Sequence, residues 1–388
     1  MVVMMKLLQD VVINILLMLP VKSLMRLKCL SKSCYTLVQS STFVNLHLNR
    51  PTTFRDGLIL FKRSIKQDDD LHKTILSFLS GDDENHLSPI NPDLDVPCMT
   101  SNYSNDFDQF IGPCQGIVAL MDNLTTVLFN PSTRNYRLLP PSPFNIPPPF
   151  SYAIECVGFG FDNISNDYKV IRILDVYLED HGYPQDFEKK IEVYDVDIDF
   201  WRELDHADQN FPTIYWLPSS QMFYQGSCHW IGISIEDALV ILSFDLSTET
   251  FHTAKTPDSC YFMNGPSYGL AVLNDTFTLI CYPRTERAKN TNEFTYIWLR
   301  KDYSGCDSWI KKYTIKGLPI QSPLAIWREC LLLFQCSNGF LMSCNLRSNE
   351  VSEYNLHGSP TSLRVIIYKE SLTLIPRGYG SSTQIETF

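Results

Sequence analysis

Most of this 388-residue chain repeats one pattern. An apolar stretch leads into an Asp or Asn, a short step of Ser, Thr or Asp follows, and the chain returns through an aromatic or apolar residue. The pattern occurs at 127–136, 193–201, 242–251 and 342–351, and 296–309 repeats it with a longer turn. Apolar strands that alternate with such turns are typical of β-hairpins. The sequence therefore predicts one supersecondary unit repeated along the chain.

The spacing of these turns predicts a propeller. The turn residues Asn130, Asp195, Asp245, Asp302 and Asn345 are separated by intervals that average about 50 residues, near the length of a kelch-type blade. We predict a degenerate kelch-like β-propeller of about five or six blades. A two-sheet β-sandwich is the alternative, because spacing in one sequence does not show that the sheets close into a ring.

The first 50 residues show helical periodicity instead. Val12, Ile15, Leu16 and Leu19 recur at the spacing of one helix face, and Pro20 is predicted to end that helix. The chain is therefore predicted to be an α+β protein, in which a small all-helical N-terminal domain precedes a mainly β domain.

Serine residues predict where the next helices begin. Ser23, Ser31 and the run from Ser40 can each accept hydrogen bonds from backbone N–H groups of a following turn. Apolar residues follow them at Leu24, Leu27, Leu30, Tyr35, Leu37, Val38, Phe43, Leu46 and Leu48. Short helices cannot bury so many apolar side chains among themselves. They are expected to pack on the β body or to form a partner-binding surface.

The string from Asp10 to Ser33 resembles the F-box, with a Leu-Pro pair that ends the first helix, a Ser-Leu-x-Arg turn and a Ser-Lys-Ser step. It departs from the family in two places. Leu7-Leu8 stands where the F-box usually begins with Leu-Pro, and Cys34 stands where it usually has Trp.

This resemblance implies a receptor subunit that is not itself an enzyme. The F-box binds a Skp-type adaptor and, through it, the cullin and RING subunits of a ubiquitin ligase. The residues it implies for adaptor binding are Leu7, Leu8, Val12, Ile15, Leu16, Leu19, Pro20, Ser23, Leu24, Leu27, Leu30 and Cys34. The residues that contact the substrate are not identified by the sequence.

The β body resembles the F-box-associated domain of plant F-box proteins in two strings, 130–140 and 158–170. Shorter strings are similar to the S-locus F-box proteins of the nightshade family: 94–97, 111–114, 214–218, 323–327 and 371–376. That likeness implies a self-incompatibility factor of the pollen-tube cytosol, which recognises non-self S-ribonucleases for ubiquitination. The implied domains are the F-box at 1–50, a connecting segment with the first strands at 51–110, and the substrate-recognition domain at 111–388.

Charge and hydropathy exclude two classes of partner. The chain has 43 acidic residues against 32 Lys and Arg, and short basic pairs such as Lys62-Arg63 do not form the concentrated basic face that nucleic acid requires. An acidic surface favours a basic protein partner. The apolar run from Val11 to Leu19 is shorter than the roughly 18 residues of a membrane span. The protein is therefore predicted to be soluble and intracellular, with no membrane partner, and the resemblance implies the cytoplasm.

Motifs for cofactors and catalysis are missing or incomplete. The twelve cysteines contain no CxxC pair, and the histidines contain no HExxH pair. Gly158-x-Gly160 lacks the last glycine of a dinucleotide fingerprint, and Asp195, Asp197 and Asp199 lack the glycine and glutamate of a calcium loop. The acidic triplet is therefore interpreted as a blade turn, and no cofactor or metal is predicted.

Two other hypotheses stay open at this point. The departures at Leu8 and Cys34 are compatible with a binding protein that does not join a cullin. A propeller enzyme of the galactose-oxidase shape is a third hypothesis, against which the missing metal-ligand spacing argues.

Overall fold

The computed structural model describes residues 2–50, 57–66, 72–81, 87–90, 93–101, 109–121, 125–144, 146–178, 188–204, 211, 214–216, 221–234, 236, 238–257, 267–283, 293–301, 308–358 and 363–376. The turn predicted at Asp302 lies outside these residues. Helices occupy the N-terminal section and strands the remainder, so the predicted α+β organisation is confirmed.

The helices of the described N-terminal section are α1 (Val2–Leu17), α2 (Val21–Leu27), α3 (Lys32–Gln39) and α4 (Ser41–Leu48). Helices α3 and α4 begin where the sequence predicts. The Ser31 hydroxyl accepts the backbone N–H of Cys34 at 3.1 Å, and the Ser40 hydroxyl accepts that of Phe43 at 3.2 Å. These local caps satisfy N–H groups that have no partner within their own helices.

The predicted cap at Ser23 is wrong. Helix α1 ends at Leu17, and α2 begins directly after Pro20, so Ser23 lies inside α2. The φ of −58° at Pro20 suits the entry to a helix, and its missing N–H removes no helical hydrogen bond there.

The first three sheets follow in chain order. Sheet 1 contains β1 (Leu58–Lys66), β2 (His72–Ser80), β3 (Ser88–Pro89) and β4 (Leu94–Ser101). Sheet 2 contains β5 (Gln109–Cys114), β6 (Ile117–Met121), β7 (Thr126–Asn130) and β8 (Asn135–Leu138). Sheet 3 contains β9 (Phe150–Asp162), β10 (Asp167–Leu178), β11 (Glu188–Asp195) and β12 (Phe200–Leu204).

Three further sheets complete the body. Sheet 4 contains β13 (Ile214–Trp216), β14 (Gln221–Tyr224), β15 (Ser227–Ser234), β16 (Leu239–Asp245) and β17 (Phe251–Lys255). Sheet 5 contains β18 (Ser267–Leu273), β19 (Thr276–Tyr282), β20 (Phe294–Arg300) and β21 (Trp309–Lys316). Sheet 6 contains β22 (Ile320–Trp327), β23 (Leu331–Cys336), β24 (Phe340–Asn345) and β25 (Val351–His357).

The last strand, β26 (Arg364–Tyr368), returns to sheet 1 and pairs antiparallel with β1. Leu58 lies opposite Tyr368, and Lys62 lies opposite Arg364. Sheets 1 to 6 are thus the blades of a six-bladed β-propeller that its C-terminal strand closes. The predicted propeller is confirmed, and the sandwich alternative is wrong because the sheets form one closed ring.

The pattern found in the sequence is the turn between the last two strands of a blade. In blades 2, 4 and 6, the side-chain Oδ1 of Asn130, Asp245 and Asn345 accepts N–H groups two and three residues further on. The residue four positions after the turn residue, which we call the fourth turn residue, donates its backbone N–H to the carbonyl of the turn residue, as Arg134 does to Asn130 at 2.8 Å. Blade 3 has the same backbone bond at Asp195. This fourth position has a left-handed φ near 60° in all four turns.

The core is a ring of apolar layers, each shared by two neighbouring blades. Phe159 and Tyr194 of blade 3 pack with Leu128 of blade 2, for example, and Ile171 of blade 3 packs with Trp230 of blade 4. Similar layers join the other neighbouring pairs, including blades 6 and 1. Each blade therefore buries both of its faces only when the ring is complete.

Buried and half-buried ion pairs also connect blades at the recurring turns. Arg137 of blade 2 contacts Asp199, the fourth turn residue of blade 3, at 2.6 Å. Arg202, at the same position of blade 3, donates to Glu249, the fourth turn residue of blade 4. Lys169 donates to Asp162 and to Glu249, each at 2.8 Å. Burial opposes ionisation of Asp162 and Glu249, but the hydrogen bonds from these basic groups hold the pKa of each carboxyl below its ordinary value.

Removal of the Lys169 ammonium should destabilise the propeller. We expect Lys169→Met to lower the free energy of unfolding by about 3 kcal/mol, because a buried ion pair that loses one partner leaves an uncompensated charge. Lys312→Met is the matched control, since Lys312 is exposed on β21. Urea denaturation followed by tryptophan fluorescence measures both variants, and equal midpoints for the two would contradict the role of Lys169.

A buried histidine in blade 4 should make stability depend on pH. Burial lowers the pKa of His229 to about 4 from 6.5, so the unfolded chain takes up a proton first as the pH falls. Stability is therefore full above pH 6.5 and is lost below it, by roughly 2 kcal/mol at about pH 5. His229→Gln should flatten this slope relative to wild type, whereas His252→Gln, at an exposed position, should not. Urea midpoints across this pH range test the difference, and equal slopes in all three proteins would refute it.

Candidate functional site

The helical section has a small core of its own. Val21 and Leu24 of α2 pack with Val38 of α3 and Phe43 of α4, and each of the four is buried. Leu372, from the segment after the propeller, completes this cluster. Leu24 was predicted to bind an adaptor, but it lies in this core and contributes no exposed surface.

The predicted stripe on α1 divides into two faces. Leu16 and Leu19 are half-buried and pack against the helical core. Val12 and Ile15 point outward, with exposures of 44% and 57%. The periodicity had placed all four on one face, but α1 ends at Leu17, and of the four only Leu16 and Leu19 are covered.

Other large apolar side chains of the helical section are exposed as well. Met18 is 81% exposed and Leu30 is 73% exposed. Leu30 belongs to the residues predicted to bind the adaptor, whereas Val11, Met18, Tyr35 and Leu46 do not, although all four are exposed. Helical periodicity could have identified two of these four, Val11 and Met18, since together with Ile15 they follow the i, i+4, i+7 spacing of a helix. Exposed apolar side chains grouped on one small domain indicate a protein contact.

The remaining predicted residues take intermediate positions. Pro20 is exposed, and Ser23, Leu27 and Cys34 are half-buried. Leu7 and Leu8 lie in α1, but their side chains are outside the described part of the chain. The structure thus brings Val12, Ile15, Pro20 and Leu30 to the surface, and it places Leu24 in the core.

Basic residues accompany the exposed apolar ones. Lys22, Arg26 and Lys32 are exposed, and burial lowers the pKa of the half-buried Lys28. Residues 1–50 carry six Lys and Arg and one Asp, a charge of +5, so the chain's net charge of −11 leaves −16 on the rest. The helical section therefore carries a concentration of basic residues that the short basic pairs of the β body do not show.

The helical section lies at the end of the propeller that carries the recurring turns. The last residue of β26, Tyr368, lies on this side of the ring, and the segment after it contacts both the helices and the turn at Asn130. Glu370 accepts the backbone N–H of Val21 at 3.2 Å, and Asn130 donates its side-chain amide to the carbonyl of Thr373 at 2.8 Å. Successive strands of a blade are antiparallel, so the opposite strand ends form the other face of the ring.

That opposite face carries its own apolar residues. Leu138 ends β8, Phe150 and Tyr152 begin β9, and Leu178 ends β10, and all four are exposed. Phe150 lies directly opposite Leu178 in the β9–β10 pairing. The antiparallel pairing also confirms that Gly158-x-Gly160 lies in a strand and does not open a helix.

The acidic turn of blade 3 is occupied by hydrogen bonds and ion pairs. Asp195 accepts from Arg202 at 2.6 Å, Asp199 accepts from Arg137, and the backbone N–H of Asp197 donates to Asp167. Its interpretation as a blade turn is confirmed. Across the described ranges, no three His, Cys, Asp or Glu side chains are grouped closely enough to hold a metal ion. None of the described helices is long and apolar enough to span a membrane.

Together these features define a class of protein: a helical partner-binding section joined to a closed propeller. Comparison with known families agrees. Residues 5–46 match the F-box domain, and residues 82–372 match the F-box associated beta propeller domain. The chain therefore belongs to the F-box proteins that carry this propeller domain.

Similar proteins are found in Arabidopsis thaliana. F-box protein CPR1 is 25% identical over 391 residues, which cover 95% of this chain and 89% of that protein. F-box/kelch-repeat protein At3g23880 is 25% identical and is matched over 84% of this chain and 86% of its own length. Among solved structures, TolB from Acinetobacter baumannii matches 84% of this chain and 70% of its own, with a TM-score of 0.45 and 9% identity. The likeness to S-locus F-box proteins stays a prediction.

Proposed function

We propose that this chain is the substrate-recognition subunit of an SCF-type ubiquitin ligase. The observation that carries the proposal is the exposure of Val12, Ile15, Met18 and Leu30 on an F-box whose own core is already filled. Covering such side chains removes apolar area from water and stabilises a complex. A Skp-type adaptor is the partner that binds this surface, and it brings the cullin and RING subunits.

Charge adds a second feature of the adaptor surface. Lys22, Arg26 and Lys32 are exposed on the same helical section as the apolar residues and give it positive charge. The adaptor should therefore present acidic groups at the rim of an apolar groove, since complementary charge directs encounter and fixes orientation.

The role of the propeller is recognition without catalysis. The recruited ubiquitin-conjugating enzyme performs the chemistry, and this chain supplies proximity and orientation. Because the helices occupy the turn end of the ring, the target binds at the opposite end, where Phe150, Tyr152 and Leu178 are exposed. Exposed aromatic side chains are frequent anchors of protein interfaces.

The finer proposal is that the target is a non-self S-ribonuclease of the style. Its support is the resemblance of five strings to S-locus F-box proteins together with the −16 charge outside the helical section, which favours a basic protein. An F-box receptor for another basic protein is the alternative target class.

A binding protein without ligase activity is the second candidate. The observation in its favour is Cys34, a small half-buried side chain where the F-box usually has Trp. A Trp contributes roughly 150 to 250 Å² of buried area, so its loss would weaken the adaptor contact. Co-purification of the wild-type chain with a plant Skp-type adaptor decides between the two candidates.

Negative charge introduced at the exposed apolar residues at the end of α1 should weaken adaptor binding strongly. We expect Ile15→Asp with Met18→Asp to weaken binding by at least about a hundredfold, because each loses roughly 1.5 to 3 kcal/mol of apolar burial and adds a carboxylate that must be desolvated. Leu16 and Leu19 are less suitable, since they also support the helical core. Titration calorimetry with the adaptor measures the effect.

The control for this test is Ile164→Asp with Ile198→Asp, which places two aspartates at exposed isoleucines in blade turns. The control should bind adaptor normally, and both variants should retain the target. Adaptor affinity that is unchanged by the α1 variant would refute this surface as the adaptor site.

Association with a basic target should depend strongly on salt. If the acidic propeller attracts an S-ribonuclease over a distance, the association rate should fall at least about tenfold between 0.01 M and 0.15 M salt, as the Debye length shrinks from about 30 to 8 Å. Stopped-flow mixing with a panel of S-ribonucleases measures this rate. A rate that does not change with salt would remove the electrostatic argument for a basic target.

A further inference from the structure

Residues 369–376, which we call the strap, follow β26 directly and contact both parts of the molecule. On the helical side, the strap supplies Leu372 to the core formed by Val21, Leu24, Val38 and Phe43. Leu372 is as thoroughly buried there as the helical residues themselves. The helical section therefore completes its core with a side chain from the opposite end of the sequence.

The strap also supplies hydrogen bonds at two helix ends. Pro20, which precedes α2, has no side-chain acceptor, and the carboxylate of Glu370 instead accepts the N–H of Val21 at 3.2 Å. The ammonium of Lys369 donates to the carbonyls of Leu48 and Arg50, at 2.8 and 2.7 Å, at the end of α4. Groups at helix ends lack partners within the helix, so Glu370 and Lys369 stabilise α2 and α4 from outside.

On the other side, the strap is fixed to the propeller. Asn130 donates to the carbonyls of Ser371 and Thr373, at 3.1 and 2.8 Å. Ser371 is buried against Gly116, where an added Cβ would lie 2.2 Å from the serine Cβ. Further along, Ile375 enters the apolar layer between blades 2 and 3. The strap is therefore fixed in position on blade 2 while it also contacts the helices.

We infer that the adaptor-binding domain is bipartite, made of residues 1–50 and the strap. Lys369, Glu370 and Leu372 are positioning residues: they hold α2 and α4, whose buried residues form the core on which the apolar residues of α1 that adjoin the proposed adaptor surface pack. The strap begins where β26 ends, and β26 reaches this place only when it pairs with β1. A closed propeller is therefore a condition for a complete adaptor-binding domain. The adaptor part of this inference rests on the proposed function, whereas the structural part does not.

Hydrogen–deuterium exchange of the full chain tests the structural part without an adaptor. Leu372→Ala should speed exchange of the α2 and α4 amides at least about tenfold, because a core leucine is lost. Lys369→Met with Glu370→Met removes the donor and the acceptor and should speed exchange at the same helix ends without removing apolar volume. Leu374→Ala is the matched control, since Leu374 belongs to the same segment but is 50% exposed.

Amides of β9 and β10 report on the propeller in the same experiment and should keep their protection in every variant. If α2 and α4 exchange at the wild-type rate in both strap variants, the bipartite domain is refuted.

Native-state hydrogen exchange at increasing urea concentrations tests whether the helical section depends on closure of the propeller. Helix amides that stay protected at urea concentrations where β26 amides have opened would overturn that dependence.

Adaptor affinity of the same variants tests the functional part. Leu372→Ala, and the double variant at 369 and 370, should bind the adaptor at least about tenfold more weakly than wild type, and Leu374→Ala should bind equally well. Equal binding by wild type and Leu372→Ala would refute the positioning role and leave the proposed function standing. A wild-type chain that binds no adaptor, with exchange as expected, would refute the proposed function and leave the bipartite domain standing.

Discussion

The antiparallel pairing of β26 with β1 is the contact on which the rest of the molecule depends. It joins residues about 300 positions apart in the sequence and closes the ring. Each apolar layer lies between two blades, so an open ring would expose blade faces on both sides of the gap. Hydrophobic burial in this fold is therefore cooperative around the whole circumference.

The closed ring also gives the protein two different ends. At the turn end, the chain leaves β26, passes Asn130 and reaches the helices through Glu370 and Leu372. At the other end, the longest strands, β9 and β10, present Phe150 and Leu178. The proposed receptor role requires such a separation, because an adaptor and a target would have to bind at the same time and at a fixed distance.

Features encoded in a few neighbouring residues could be predicted from the sequence. The turn at Asn130 and the caps at Ser31 and Ser40 each depend on hydrogen bonds to N–H groups within three residues. Ser23 was predicted wrongly because the partner of the α2 N-terminus is Glu370, 349 residues away. Likewise, periodicity identified the apolar stripe of α1 but not which members face the core, since that core contains residues of α2, α3 and α4 and Leu372 from the far end of the chain.

The recurring turns have one more consequence, for how such a chain can change in evolution. The fourth turn residue is acidic in blades 3 and 4, where it meets an arginine of the preceding blade, but it is Arg134 in blade 2 and Asn349 in blade 6. A second copy of blade 2 placed after blade 3 would set Arg134 against Arg202 in a half-buried site, and like charges repel there. The repeats are thus alike in backbone but are not interchangeable, and their order along the chain is part of what the sequence specifies.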